Sequence, residues 1–193
     1  MDSGINDRPD VAQLEKELEY ERHKRKYNRT LRSTVGILIV VAAAAVLLAT
    51  IFFPVLRIYG SSMTPTVNDG EIVVAFNSRD FKTGSVAALW YGNKLLVKRI
   101  IASPGQWVNI DSDGNVYVDG QLLEEPYVSE RSLGDCNIDL PYQVPEGCYF
   151  VLGDHRNISQ DSRNTSVGCI SREQIVGRLL FKVWPFAQAG KIK

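Results

Sequence analysis

The run from Val35 to Phe53 constrains this chain most. It reads Val-Gly-Ile-Leu-Ile-Val-Val, four alanines, then Val-Leu-Leu-Ala-Thr-Ile-Phe-Phe, without one charge. About 20 consecutive apolar residues cross the hydrocarbon core of a bilayer as a helix. A cleaved signal peptide has a shorter apolar core and no long basic tail ahead of it, so a retained signal anchor is expected. Charge sets its direction. Seven acidic and two basic residues lie between Met1 and Glu21. Six basic residues (Arg22, Lys24, Arg25, Lys26, Arg29, Arg32) and no acidic ones follow up to Arg32, and beyond the run only Arg57 is close. This bias predicts a cytoplasmic N-terminus, with Phe52, Phe53 and Tyr59 near the outer interface. Overall the 22 basic and 22 acidic residues cancel, so no global field points to nucleic acid as a partner.

Ahead of the anchor, Pro9 to Arg32 reads as a short helix capped by Asp7 or Asp10, with Val11, Leu14 and Leu18 at three-four spacing. That stripe is too short for a stable coiled coil, so a surface helix is expected. Beyond Arg57 the pattern changes to short strands. Residues 71–76, 85–90, 95–101, 107–110 and 116–118 are apolar or alternating, with turns at Lys82-Thr83-Gly84, Asp113-Gly114 and Asp119-Gly120. Residues 146–152 and 176–184 supply further strands, and 123–145 reads as a loop excursion. The expected organisation is a cytoplasmic segment over 1–33, a transmembrane anchor over 34–56 and an extracytoplasmic β-rich domain over 57–193. The fold class is all-β, an antiparallel sandwich or partly open barrel, preceded by a single transmembrane helix and a short cytoplasmic helix.

Cys136, Cys148 and Cys169 cannot all pair, and no C-x-x-C spacing indicates zinc or thioredoxin-like chemistry. No metal or cofactor is expected. A Cys136–Cys148 disulfide is a candidate because the domain faces outward, against a Cys148 that is simply a small buried hydrophobe.

Three segments carry possible chemistry. In Ile58-Tyr59-Gly60-Ser61-Ser62-Met63-Thr64-Pro65-Thr66, a glycine and a proline constrain a turn that presents a hydroxyl. A serine needs a base to become a nucleophile. His23 belongs to the cytoplasmic segment, which leaves His155, with Asp154 or Asp161 to orient it, or Lys98. Neither a Gly-x-Ser-x-Gly elbow nor a Ser-x-x-Lys motif is present. Lys98 shares its strand face with Leu96 and Ile100, where an apolar environment lowers an ammonium pKa towards about 8–9 and makes the amine a base. The alternative is a lysine snorkelling from the strand end. The third segment, Gly153 to Arg163, packs arginines, two acids and two serines into eleven residues after an apolar strand. It reads either as a solvated loop with internal ion pairs or as a structured loop supporting a site.

In this order, behind an anchor, the three segments resemble type I signal peptidase, the membrane-bound serine/lysine protease of bacterial secretion, in a short, Gram-positive-like form. The resemblance covers roughly Val35 to Phe186. It rests on Ser62-Met63-Thr64-Pro65-Thr66, Lys98-Arg99 with Ser103-Pro104-Gly105, the Gly153–Arg163 segment, and Ile175-Val176-Gly177-Arg178 leading to Trp184-Pro185-Phe186. It implies an endopeptidase that removes signal peptides from secreted preproteins, with Ser62 as nucleophile and Lys98 as general base. Ser159 matches the serine that orients the lysine, while Asp154, Asp161, Arg163 and Arg99 match residues that brace the site. Substrate is expected to add as an extended strand. Ile58, Met63 and Val97 match the walls of pockets for alanine-sized residues one and three positions before the cut. Gly60 stands where Gram-negative members carry a serine that assists the oxyanion hole, and His155 stands where asparagine is common. Implied partners are preproteins, the lipid bilayer and the secretion translocon. Two other functions compete. A self-cleaving Ser/Lys repressor-type protease expects an N-terminal DNA-binding domain, which the anchor replaces. A membrane-anchored β-domain that only binds a secreted or envelope partner leaves Ser62, Lys98 and the 153–163 segment without a joint purpose.

Overall fold

From Val11 to Phe52 no proline interrupts the chain, and Gly36 is its one glycine. In the computed structural model, which describes residues 10–78 and 81–192, this stretch is one uninterrupted helix of 42 residues, α1 (Val11–Phe52). The short helix and the anchor expected as two elements are therefore one. Asp7 and Pro9, the expected cap and start, lie outside the described residues. Side chains of the apolar run are exposed, and an 18-residue window reaches a mean hydropathy of 2.9, long and apolar enough to cross a membrane. Pro54, which cannot continue a helix, follows its end.

The rest is antiparallel sheet. In chain order the strands are β1 (Val55–Arg57), β2 (Ile72–Phe76), β3 (Val86–Tyr91), β4 (Lys94–Ala102), β5 (Trp107–Ile110), β6 (Val116–Val118), β7 (Gln121–Leu122), β8 (Tyr142–Gln143), β9 (Cys148–Leu152), β10 (Ile170–Ser171), β11 (Ile175–Trp184) and β12 (Gly190–Lys191). One eight-stranded sheet runs β1-β2-β11-β3-β4-β9-β10, with β12 also on β11; a four-stranded sheet runs β7-β6-β5-β8. Asp119 and Gly120, both at positive φ, make the tight turn between β6 and β7 that their sequence favours. Gly177 answers a different need: a Cβ there would lie 2.5 Å from the carbonyl oxygen of Phe76, so only glycine lets β11 approach β2 this closely.

Three apolar clusters hold the sheets together. Ile58, Met63, Val67, Val86 and Ala88 belong to the first, with Leu95 and Val97 packed against it. Ala87, Leu89, Ile100 and Val151 belong to the third, with Leu96. The alternation of Val86/Ala88 with Ala87/Leu89 shows β3 buried on both faces, and β4 inherits the same two faces through its register Val86↔Arg99, Ala87↔Lys98 and Ala88↔Val97. The second cluster, around Val108, Ile110, Val116 and Phe150, joins the small sheet to β4 and β9.

Candidate active site

Ser62 sits on a tight turn anchored from both sides. The Thr64 amide and hydroxyl both donate to the Ser61 carbonyl, at 3.2 and 2.9 Å, and the Val67 amide donates to the Met63 carbonyl at 3.0 Å. Met63 and Val67 are buried in the first apolar cluster, which pins the turn and leaves Ser62 half-exposed. Gly60 has φ +87°, a conformation that side chains resist, and its amide donates to Asp69 Oδ1 at 2.7 Å.

Lys98 reaches this turn from the middle of β4. Its Nζ lies 2.9 Å from Ser62 Oγ and 2.9 Å from Ser159 Oγ. The side chain is 3 % exposed and shares a strand face with Leu96 and Ile100, opposite Ala87, so it does not snorkel to water. Burial is the main cause that brings its pKa down to about 8; the carboxylates of Asp161 and Asp154 oppose the shift and the guanidinium of Arg163 assists it. A lysine so placed is neutral in a substantial fraction of molecules near neutral pH. Its amine can then accept a proton from one hydroxyl while the other holds it in position.

The 153–163 segment is a structured loop. Asp154 receives a bidentate pair from Arg99, at 2.8 and 2.7 Å, and the Thr66 hydroxyl at 2.5 Å. Asp161 receives both Nε and Nη2 of Arg163 at 2.8 Å, and the Gly153 amide at 3.0 Å. Arg163 also donates to the carbonyls of Leu133 and Arg156. The loop is seated against the serine turn through the His155 amide, which donates to the Ser62 carbonyl at 3.1 Å. The His155 ring bonds the Thr64 hydroxyl through Nδ1 at 3.0 Å; the hydrogen bond to Ser62 Oγ comes from Lys98.

Beside the pair lies a cleft of about 500 Å³ whose walls include Ile58, Gly60, Ser62, Met63, Leu95 and Val97. One wall is a sheet edge. β9 pairs with β4 only from Arg99 onward, so among the described strands β3 alone pairs with Lys94 to Lys98. The Ile100 amide donates to the Ser85 carbonyl of the β3 side, and hydrogen-bonded pairs alternate along an antiparallel ladder. Leu95 and Val97 therefore present their backbone N–H and C=O groups to the cleft. A second cleft of about 430 Å³, bordered by Thr66, Tyr127 and Lys182, contains neither Ser62 nor Lys98.

Every sequence-predicted site residue converges here: Ser62, Lys98 and Ser159 by direct hydrogen bonds, Asp154, Asp161, Arg99 and Arg163 in the buried ion pairs behind them, and Ile58, Gly60, Met63 and Val97 at the cleft. Sequence reasoning did not single out Thr66, Glu125, Tyr127 or Arg156. The Tyr127 ring lies under the Arg99 guanidinium, 3.6 Å from centroid to Cζ, and Glu125 forms a buried ion pair with Arg156. Arg156 itself was a signal, since an arginine inside so apolar an approach needs a carboxylate. All three cysteines are free thiols, so the Cys136–Cys148 bridge does not form. Among the described residues no group of three or more His, Cys, Asp or Glu side chains is placed to hold a metal ion.

Comparison with known proteins identifies the family. Residues 31–184 match the family described as signal peptidase, peptidase S26. Signal peptidase I of Bacillus licheniformis is 34% identical over 187 residues, covering 89% of this chain and 97% of that protein. Signal peptidase IB of Staphylococcus aureus is 38% identical over 152 residues, covering 68% of this chain and 78% of that protein. The crystal structure of a signal peptidase I from Enterococcus faecalis matches with a TM-score of 0.43 and 28% identity, over 52% of this chain and 97% of that one.

Proposed function

The chain belongs to the signal peptidase family, peptidase S26, and from that membership we propose that it removes signal peptides from secreted preproteins by a serine/lysine mechanism. The observation that carries the mechanism is the buried Lys98 amine held 2.9 Å from both Ser62 Oγ and Ser159 Oγ. Neutral Lys98 takes the proton of Ser62 as Oγ attacks the scissile carbonyl. The resulting ammonium returns that proton to the amine of the departing mature protein as the C–N bond breaks. Water, activated by the again-neutral lysine, then attacks the acyl-enzyme ester; the proton released passes to Ser62 Oγ and the signal peptide leaves as a carboxylic acid. Ser159 holds Nζ in line for both steps. The Ser62 amide donates to the oxyanion. Gly60 does not supply a second donor through its own amide, which Asp69 already engages.

The open backbone groups of Leu95 and Val97 support substrate binding as an added strand along β4. Ile58, Met63 and Val97 then wall pockets for small side chains one and three residues before the cut. The apolar part of α1, up to Phe52, crosses the membrane, the chain before it lies in the cytoplasm and the sheet domain from β1 onward lies outside, on the strength of the basic cluster before Val35; the anchor expected to run to residue 56 is shorter because Val55 and Leu56 pair with β2. The lipid bilayer and the secretion translocon are the partners this topology implies.

Incubation of the purified protein with a preprotein, followed by sequencing of the new N-terminus, tests the activity. Cleavage by wild type but not by Ser62→Ala or Lys98→Ala is expected. Binding without cleavage would make the domain a receptor instead. Protease added to spheroplasts is expected to degrade the chain beyond Arg57 and spare the segment before it.

A further inference from the structure

Behind the Ser62–Lys98–Ser159 contact, three buried guanidiniums (Arg99, Arg156, Arg163) each pair with one buried carboxylate (Asp154, Glu125, Asp161). Two of these carboxylates lie in the 153–163 loop. The third, Glu125, arrives from the connection between β7 and β8, 31 residues before Arg156, and is 5 % exposed. It binds both terminal nitrogens of Arg156, whose Nε donates to the Gly153 carbonyl at 3.1 Å and whose own carbonyl accepts from Arg163 Nη2 at 2.9 Å. Gly153 and Ser159 are in contact, and Ser159 holds Lys98. Arg163 Nη2 also donates to the Ser159 carbonyl at 3.5 Å, so a chain of buried hydrogen bonds runs from Glu125 through Arg156, Arg163 and Ser159 to the Lys98 amine.

We propose that Glu125 is a positioning residue for the reaction, clamping Arg156 so that the loop keeps Ser159 on Lys98, and neutralising a buried charge that would otherwise act on that amine. The proposal rests on the reading of Lys98 as base. The charged and titratable groups around Lys98 are Asp154, Asp161 and Arg163 on the loop and Arg99 beside it on β4, with the His155 ring turned to Thr64. Each ion among these has a partner of opposite sign, so loss of Glu125 leaves one positive charge uncompensated. Arg156 cannot shed that charge, because a guanidinium stays protonated in proteins. An added positive charge in a buried site disfavours the lysine ammonium.

The test is the pH–rate profile of preprotein cleavage by the full-length protein in detergent. Wild type, Glu125→Gln, Glu125→Asp and the double variant Glu125→Gln/Arg156→Gln are compared, with thermal melts to establish folding. Glu125→Gln is expected to lose at least about tenfold in plateau rate and to move its acid limb down by about 0.5 unit or more, the scale of one uncompensated charge near a buried group. Glu125→Asp keeps the charge and is expected to keep the wild-type limb. The double variant removes both charges, so its limb returns to the wild-type position while its plateau stays low. A Glu125→Gln profile superimposable on wild type would overturn the proposal. If Glu125→Gln does not fold, the double variant decides: wild-type plateau and limb together overturn it, a low plateau with an unmoved limb upholds it. Failure of the underlying reading looks different. A wild-type limb near 6.5, or an active Lys98→Ala, removes Lys98 as base whatever Glu125 does.

Discussion

Gly153 lies so close to Ser159 that a Cβ on the glycine would overlap the serine side chain, and would stand 2.6 Å from the Ser62 carbonyl oxygen. The absence of one carbon is what lets the loop close over the Ser62 turn. Gly153→Ala is therefore expected to push Ser159 off Lys98 and lower the cleavage rate by at least about 100-fold, the loss that an ångström-scale misplacement produces. A folded variant with near wild-type kcat would contradict this geometry.

As the proposed base, Lys98 is expected to set the pH dependence. With its pKa lowered from 10.5 to about 8, the rate should rise along an acid limb near pH 8, well above the histidine range. At pH 7 roughly one lysine in ten is then neutral, against about one in 3,000 at 10.5. Lys98→Arg and Lys98→Ala are expected to be inactive and folded, since arginine cannot give up its proton.

The same burial makes a stability prediction of opposite sign. A depressed lysine pKa means that the folded state disfavours the ammonium, a penalty fully present below about pH 8 and gone once the pH passes 10.5. Lys98→Met fills the space without a charge. It is expected to stabilise the inactive protein by about 1–3 kcal/mol at pH 7, somewhat less than the shift alone implies because two hydrogen bonds are lost. The gain should vanish near pH 11 in chemical denaturation.

His155 is expected to be dispensable as a base, because its ring bonds the Thr64 hydroxyl and its contact with Ser62 is through the backbone amide. His155→Asn should retain activity within about tenfold. A loss of about 10⁴-fold, the scale of disabling a catalytic triad, would return the base role to histidine.

Much of this fold was legible because strand signals are local. Residues 107–110 and 116–118 coincide with β5 and β6, and the Asp113-Gly114 and Asp119-Gly120 turns fall where their backbone preferences put them. For Lys98, period two set Leu96 and Ile100 on its face but left snorkelling from the strand end open, and the family resemblance, not the pattern, pointed to a buried amine. The clamp formed by Glu125 and Tyr127 was not legible. Its partners lie 31 residues away in Arg156 and 28 residues back in Arg99, across a connection with no periodicity to place it. The helix was misjudged for a related reason: a change from charged to apolar composition at residue 34 looks like a boundary, but the backbone ladder does not register it.

Specificity should be tunable from β4. Val97→Ala is expected to enlarge the proposed pocket and to process preproteins with valine or leucine three residues before the cut faster than wild type does. Phenylalanine one residue before the cut should be rejected by both. Cleavage of all variants at equal rates would contradict the assignment of Ile58, Met63 and Val97 to the pocket walls.

With substrate added as proposed, the edge of β4 at Leu95 and Val97 would also act as a ruler with one permitted spacing. A peptide laid along it can slide only by steps that return N–H groups to carbonyls and the same side chains to the cleft, and the pleat makes that step two residues, about 6.8 Å. A one-residue slip would turn every pocket side chain to the opposite side of the strand. When a preprotein offers several alanines in succession, minor products should therefore begin two residues from the principal N-terminus, with the intervening bond left whole.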